Sequence, residues 1–550
     1  MPDRREFLKH SAGALATAAL AARASAERAG VRFERPAAVL DAWDYVEVVV
    51  RVQRPDAPNP FVDAEVRGTL TGPRGRTLNV DGFCDSEDGT VHRIRFMPTA
   101  PGRHRYTVTY RDRAGVAAAT GAFTARRGRR RGGVRVDPAY PWHFVWAATG
   151  ERYFYNGTTA YWLAGNDDAR IQAALDRLAR LRVNRVRAAL SGRVRDGRAW
   201  HEEVFASPRF RFVLDPWPAA RPDDVENPGY DITRFHLPFW RRYEGMVRHA
   251  RGLDMVVSII FYVDGARPGV YPFPRTGPVT PDEERFYRYA AARFAAFSNV
   301  MWDVTNEWHL FRNEPWVRHM GAYLRSRDPY GHLISVHGHG EFPFRSDPWA
   351  DYALHQSWDE HGGHAFMLQK RRQQADTGRP MPQVNEEYGY EDHYPPWGGG
   401  KLPPARSPDN RRRLAWGMVM AGGYQTTGER ATPAGGWING YGDDTMTMLV
   451  GYGHMRAFFE SFPWWRCNPR NELTDSGAMC LAEPGRTYAL YLPEGRPAAL
   501  RMAAGRYRVR EYDPAAGTWR RQPNADGAAG PWRAEGTSGG ADRAYLLERR

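Results

Sequence analysis

Met255-Val256-Val257-Ser258-Ile259-Ile260-Phe261-Tyr262 is apolar on both faces along its whole length. A strand that can meet water on one side alternates apolar and polar residues. This one does not, so it belongs in a parallel sheet covered on both faces. Its surroundings repeat the theme. Trp240 to Ala250 before it has helical spacing and stops near Gly252. Thr280-Pro281-Asp282-Glu283 after it is a capping box with Pro at the first helical position. Phe286, Ala290, Phe294 and Phe297 follow at helical intervals, and Val300 to Val304 is strand-like again. Further helical spacing at Ile171, Leu175 and Leu178 precedes a strand over Val183 to Leu190. With candidates near 153–161, 333–339, 352–358, 382–388 and 422–428 the count reaches eight strands. Eight βα units predict a (β/α)8 barrel over residues 134–465, whose active site lies at the C-terminal ends of its strands.

Two of those ends carry a glutamate. Met301-Trp302-Asp303-Val304-Thr305-Asn306-Glu307-Trp308 finishes the fourth strand, and Pro382-Gln383-Val384-Asn385-Glu386-Glu387-Tyr388-Gly389-Tyr390 finishes the seventh. Two carboxyls on facing strand ends are the equipment of glycoside hydrolysis: one protonates the leaving oxygen, and the other attacks the sugar carbon or activates water. Asn306 beside Glu307 supplies an amide for a neighbouring sugar hydroxyl. Adjacent strand side chains point to opposite faces, so only one of Glu386 and Glu387 is expected to reach the barrel axis. The Glu-aromatic-Gly order selects Glu387, leaving Glu386 on the outer face unless a bulge reverses the phase.

Other strand-end residues are candidates for substrate binding: Arg187 (strand two, to orient the nucleophile and keep it ionised), His337 and His339 (strand five), His355 and Trp358 (strand six), Tyr390, and Trp437 after strand eight. Glu429 near strand eight is a rival carboxylate. Residues 191–254 are the candidate substrate-shaping insertion.

The flanks are β-rich. Residues 30–125 hold Val46-Glu47-Val48-Val49-Val50-Arg51-Val52 and Arg105-Tyr106-Thr107-Val108-Thr109-Tyr110, with turns at Asn59-Pro60, Gly72-Pro73 and Pro101-Gly102. They predict an immunoglobulin-like β-sandwich. A basic, glycine-punctuated linker follows at 126–133. Residues 470–550 return to short strands around Asp513-Pro514-Ala515-Ala516-Gly517 and predict a second, smaller β-sandwich. The fold class is therefore multidomain α/β: a central (β/α)8 TIM barrel between two β-sandwiches.

At the N-terminus, Asp3-Arg4-Arg5-Glu6-Phe7-Leu8-Lys9, the apolar run Ala12 to Ala22 and Ala24-Ser25-Ala26 form a twin-arginine leader with a small-residue cleavage site over residues 1–26. A periplasmic or extracellular enzyme, free of the membrane after cleavage, is expected. The net charge of +14 rests almost wholly on arginine, since only Lys9, Lys370 and Lys401 are lysines. That bias points first to genome composition, and otherwise to an anionic polysaccharide. No nucleic-acid-binding motif accompanies it. Cys84, Cys467 and Cys480 give no disulfide framework, although the last two could pair in an oxidising compartment.

The chain resembles clan A retaining glycoside hydrolases in W-D-V-T-N-E-W (Trp302–Trp308) and V-N-E-E-Y-G (Val384–Gly389). More closely it is similar to apiosidase-like glycoside hydrolases with an immunoglobulin-like N-terminal domain and a C-terminal domain labelled collagen-binding. Asn59-Pro60-Phe61, Asp81 to Asp85, Arg95 to Gly102, Tyr155 to Tyr161, Tyr488 to Leu492 and Tyr512-Asp513-Pro514 carry that likeness. The resemblance implies Glu307 as acid/base and Glu387 as nucleophile, with a poly- or oligosaccharide substrate and no cofactor. Two alternatives stand beside it: a non-catalytic carbohydrate-binding scaffold, and a metal-dependent hydrolase built on His337, His339, His355, His361 and His364.

Overall fold

A computed structural model describes residues 28–194, 212–360, 362–393, 405–430, 440, 442–475 and 477–550. Among them no helix is long and apolar enough to cross a membrane.

The centre is a parallel sheet of eight strands: β1 (Asn156–Thr159), β2 (Arg185–Val194), β3 (Val256–Tyr262), β4 (Val300–Asp303), β5 (Ile334–Ser335), β6 (Ala353–Gln356), β7 (Gln383–Glu387) and β8 (Tyr424–Thr427). The order runs β5-β4-β3-β2-β1-β8-β7-β6, so β1 pairs with β8 and the sheet curls round to near closure. β5 and β6 meet without a ladder; Asp351 N donates to Ile334 O at 2.9 Å and Ser335 Oγ to Tyr352 O at 2.6 Å. Every residue of β3 is buried, as its unbroken apolar run requires.

Among the described residues seven α-helices clothe the barrel: α1 (Asp168–Arg180), α2 (Leu237–Gly252), α3 (Pro281–Phe294), α4 (Glu314–Arg327), α5 (Gly363–Ala375), α6 (Pro408–Met420) and α7 (Met448–Phe459). One of the eight expected βα units, the fifth, is incomplete. The β5–β6 connection has no α-helix, and Phe342, Phe344 and Trp349 bury their rings there. Prolines at 343 and 348 forbid a regular helix in so short a span.

The capping box expected at the start of α3 forms by half. Thr280 accepts a hydrogen bond from Glu283 N, with Pro281 at the first position. The reciprocal half of the capping box is missing. Glu283 turns inward and its Oε1 accepts from Tyr271 Oη (2.8 Å) and Trp316 Nε1 (3.2 Å). Burial pushes this carboxyl up to about 7.

The N-terminal region is two facing antiparallel-rich sheets. One is formed by Val31–Glu34, Val46–Val52, Val91–Phe96 and Phe83–Cys84; the other by Val39–Asp41, Gly115–Arg126, Gly102–Asp112, Glu65–Thr71 and Thr77–Asp81. Val46, Val48, Val50 and Val52 alternate inward and share a core with Ile94, Phe96, Val108 and Phe123. Arg95 ties this region to the barrel, with Nη2 2.8 Å from Glu244 on α2 and Nη1 donating to Arg293 O on α3. The C-terminal region is a seven-stranded antiparallel sheet and a two-stranded ribbon. It is held by Trp416 of α6 stacked on Tyr491 at 4.9 Å and by the Arg412–Asp542 pair. All three cysteines are buried thiols.

Candidate active site

The C-terminal mouth of the barrel gathers four strand ends. β4 runs into Asn306 and Glu307; Asn306 N donates to Tyr262 O at the end of β3, which fixes the turn. Glu307 itself has φ of 45°. A left-handed backbone at a non-glycine residue costs free energy, and such strain collects at functional sites. Here the turn lifts the Glu307 side chain out of the strand's alternation.

From the other side, β6 and β7 bring Gln356 and Glu387. Gln356 Nε2 lies 3.3 Å from Glu307 Oε1 and 3.1 Å from Glu387 Oε1, so one amide nitrogen bridges the two carboxyls. Tyr161, just past β1, donates from its hydroxyl to Asn306 Oδ1 (3.0 Å) and lies 3.3 Å from Glu387 Oε2. Asn306 Nδ2 reaches Glu307 Oε2 at 3.3 Å. A third hydrogen bond to Glu387 comes from Tyr390.

Beneath this layer lies a buried ion network. Arg187 donates to the Tyr161 hydroxyl (3.0 Å) and to Asn306 Oδ1 (3.1 Å), and its Nε is 3.1 Å from Glu386 Oε1. Glu386 also accepts from Arg185 Nη2 at 2.5 Å and from Tyr155 Oη at 3.2 Å. The outer-face placement expected for Glu386 is therefore wrong. The cause is a bulge: His355 pairs with Asn385 but Gln356 pairs with Glu387, which leaves Glu386 as an extra residue on β7. A bulge interrupts the two-residue alternation. Glu386 points into the barrel by strand phase, and Glu387 also faces inward, one layer higher.

The electrostatics separate the two mouth carboxyls. Burial raises Glu307, and the charges of Glu387 and Asp264 raise it further. Burial raises Glu387 too, but the Arg187 charge and the hydrogen bonds from Tyr390 and Tyr161 oppose it. The Arg187 charge and these hydrogen bonds therefore favour ionisation of Glu387 over that of Glu307. The arrangement can thus hold a proton donor and an ionised carboxylate side by side, as general-acid chemistry requires.

The model of the apiosidase-like catalytic domain matches residues 143–428, more than half of the chain and the whole run from before β1 to the end of β8. The chain belongs to the apiosidase-like family. Ahead of that catalytic domain, a model for a domain of unknown function, DUF5060, matches residues 39–111. Two solved structures share the apiosidase-like chain's fold. A candidate glycoside hydrolase from Bacteroides vulgatus is 21% identical with a TM-score of 0.73, over 94% of this chain and 100% of that one. A family 5 glycoside hydrolase from the same organism is 14% identical with a TM-score of 0.58, over 76% and 93%. No curated protein matches the chain. Family and fold are those of glycoside hydrolases.

The remaining candidates divide. Trp358 meets the Tyr390 ring edge-on at 5.6 Å beside the site. His337 is fully buried at the end of β5, and neither ring nitrogen has a hydrogen-bond partner. His339 is exposed at the rim, 6.2 Å from the His309 ring. His355 faces away from the mouth: its Nε2 bonds Gln383 Oε1 at 2.9 Å and its ring packs on Phe366 of α5. Strand alternation gives the inward position to Gln356, which sequence reasoning passed over because glutamine carries no catalytic signature. His364 bonds Gly417 O and Asn471, so these histidines serve separate partners and do not converge. Glu429 is held by both Arg177 nitrogens at 2.7 and 2.9 Å, away from the pair. Trp437 and His361 lie outside the described residues. Tyr161 and Asp264 were also missed. Tyr161 ends the run Tyr155–Tyr161 that carries the family likeness, and that was its only signal.

Proposed function

We propose that the protein is an exported retaining glycosidase that cleaves a poly- or oligosaccharide. The observation that carries the reading is the Gln356 amide shared by Glu307 and Glu387 at 3.3 and 3.1 Å. A single nitrogen cannot bridge carboxylates held about 9 Å apart, as a wide inverting pair would be. It suits the spacing of about 5–5.5 Å at which one carboxylate attacks the sugar directly. Glu307, carrying the proton, donates it to the leaving oxygen. Glu387, ionised and supported by Tyr161, Tyr390 and the Arg187 charge, attacks the anomeric carbon and forms a glycosyl-enzyme. Glu307, now a carboxylate, takes a proton from water, which attacks the same carbon and releases Glu387. Two displacements restore the starting configuration.

The test is the anomeric configuration of the first-formed product, followed by proton NMR during cleavage of a 4-nitrophenyl glycoside. Retention supports the reading; an inverted product overturns it. Export rests on Arg4 and Arg5. Replacing both with lysine should keep the protein in the cytoplasm; continued export of that variant would refute the twin-arginine route.

A further inference from the structure

A third carboxylate overlooks the mouth. Asp264 stands two residues beyond the end of β3, at φ of 57°. Its place is fixed from both sides. Tyr262 O, two residues back, accepts from Asn306 N and from Thr305 Oγ1 (3.2 Å) on the β4 loop. Gly265, the next residue, lies against the Phe311 ring so closely that a Cβ there would come within 2.5 Å of it. The β3 loop is thus clamped against the loop that carries Glu307. The side chain of Asp264 is only 9% exposed, and its ion-pair partner is Arg267 at 3.7 Å, beyond hydrogen-bond length. Its charge acts on Glu307, Glu387 and the Tyr161 hydroxyl, which stand at or just past three other strand ends.

A carboxylate in that position has lone pairs to offer and few donors on them. Water or substrate must supply the rest, since a nearly buried carboxylate without donors is costly. Sugar hydroxyls are donors spaced for bidentate capture by a carboxylate. A second carboxylate brought by the substrate would meet like charge instead. The nearest cation, Arg267, is Asp264's own ion-pair partner at 3.7 Å, and Arg187 below the mouth is already committed to Tyr161, Asn306 and Glu386.

We infer that Asp264 binds hydroxyls of the sugar in the reacting subsite and selects an uncharged glycon over a uronic acid. This rests on the glycosidase reading above and names the substrate class it leaves open. It also sets aside, for the reacting subsite, the anionic polysaccharide that the net charge allows.

The experiment uses the mature full-length protein and a panel of 4-nitrophenyl glycosides, α and β, of neutral hexoses and pentoses beside the matching hexuronides. Wild type should turn over a neutral glycoside at least tenfold faster, in kcat/KM, than its uronide. D264N should lose roughly 10- to 100-fold in kcat/KM on that neutral glycoside, as expected for lost hydrogen bonds to a charged group. Its pH profile should also move to lower pH, because a charge facing Glu307 and Glu387 is gone. A merely structural role would leave the profile in place. Wild type that prefers uronides overturns the inference whatever the variant does. So does a folded D264N with unchanged kinetics. A wild type that cleaves no glycoside overturns the glycosidase reading first, and this inference with it.

Discussion

Glu386 Oε1 lies 2.5 Å from Arg185 Nη2, and neither side chain is open to solvent. This pair, one layer below the mouth, shows how β7 can carry two glutamates with different work. Removing one partner of a buried pair leaves an uncompensated charge, at a cost of about 3–5 kcal/mol. Glu386→Ala should therefore lower the denaturation midpoint sharply, read by urea unfolding, and added azide should restore no activity. A Glu386→Ala protein as stable as wild type would mean that the network contributes nothing.

Glu387→Ala should abolish turnover, and azide should restore part of it as a glycosyl azide of inverted configuration, because the small anion attacks from the face the carboxylate used. Glu307→Ala should give a glycosyl azide of retained configuration with substrates bearing good leaving groups, since Glu387 still forms the intermediate. Product NMR distinguishes the two. Exchange of these outcomes between the variants would exchange the roles.

Tyr161→Phe removes the hydroxyl that Arg187 donates to and that meets both Asn306 and Glu387. A hydrogen bond to a charged group contributes about 1.5–3 kcal/mol, so kcat should fall roughly 10- to 100-fold. Ionised Glu387 loses support, so the acidic limb of the pH–rate profile should move upward. A fall in kcat with no movement of that limb would place the hydroxyl's role elsewhere.

Stability should depend on pH through the same carboxyls. Burial raises Glu307 and Glu387 in the folded chain, so the folded state binds protons more tightly than the unfolded state. Their stabilising contribution is complete below the ordinary carboxyl value of about 4 and is lost as pH rises through the raised folded values. Glu307→Gln stays neutral throughout. It should be more stable than wild type at pH 8 and no more stable at pH 4, by thermal unfolding at each pH. A constant difference across that range would contradict a raised Glu307.

The barrel was legible in local pattern. The two-faced apolar run of β3 calls for a covered parallel sheet wherever it sits, and the alternation of strand and helix around it sets the topology. Glu307 and Glu387 could be placed at strand ends for the same reason: position along a strand is a property of the chain alone. Facing direction near a bulge is not. Whether Glu386 lies inside depends on how β6 registers against β7, where Gln356 meets Glu387 and skips Glu386. The same pairing turns Gln356 inward and His355 out to α5. Tyr161 and Asp264 belong to the site because β1 and β3 bring their ends round to β4 and β7, contacts that span 145 residues from Tyr161 to Asn306 and 226 to Glu387. Local sequence fixes period and ends; barrel closure decides which side chains meet across the mouth, because those partners become neighbours only when the sheet curls round.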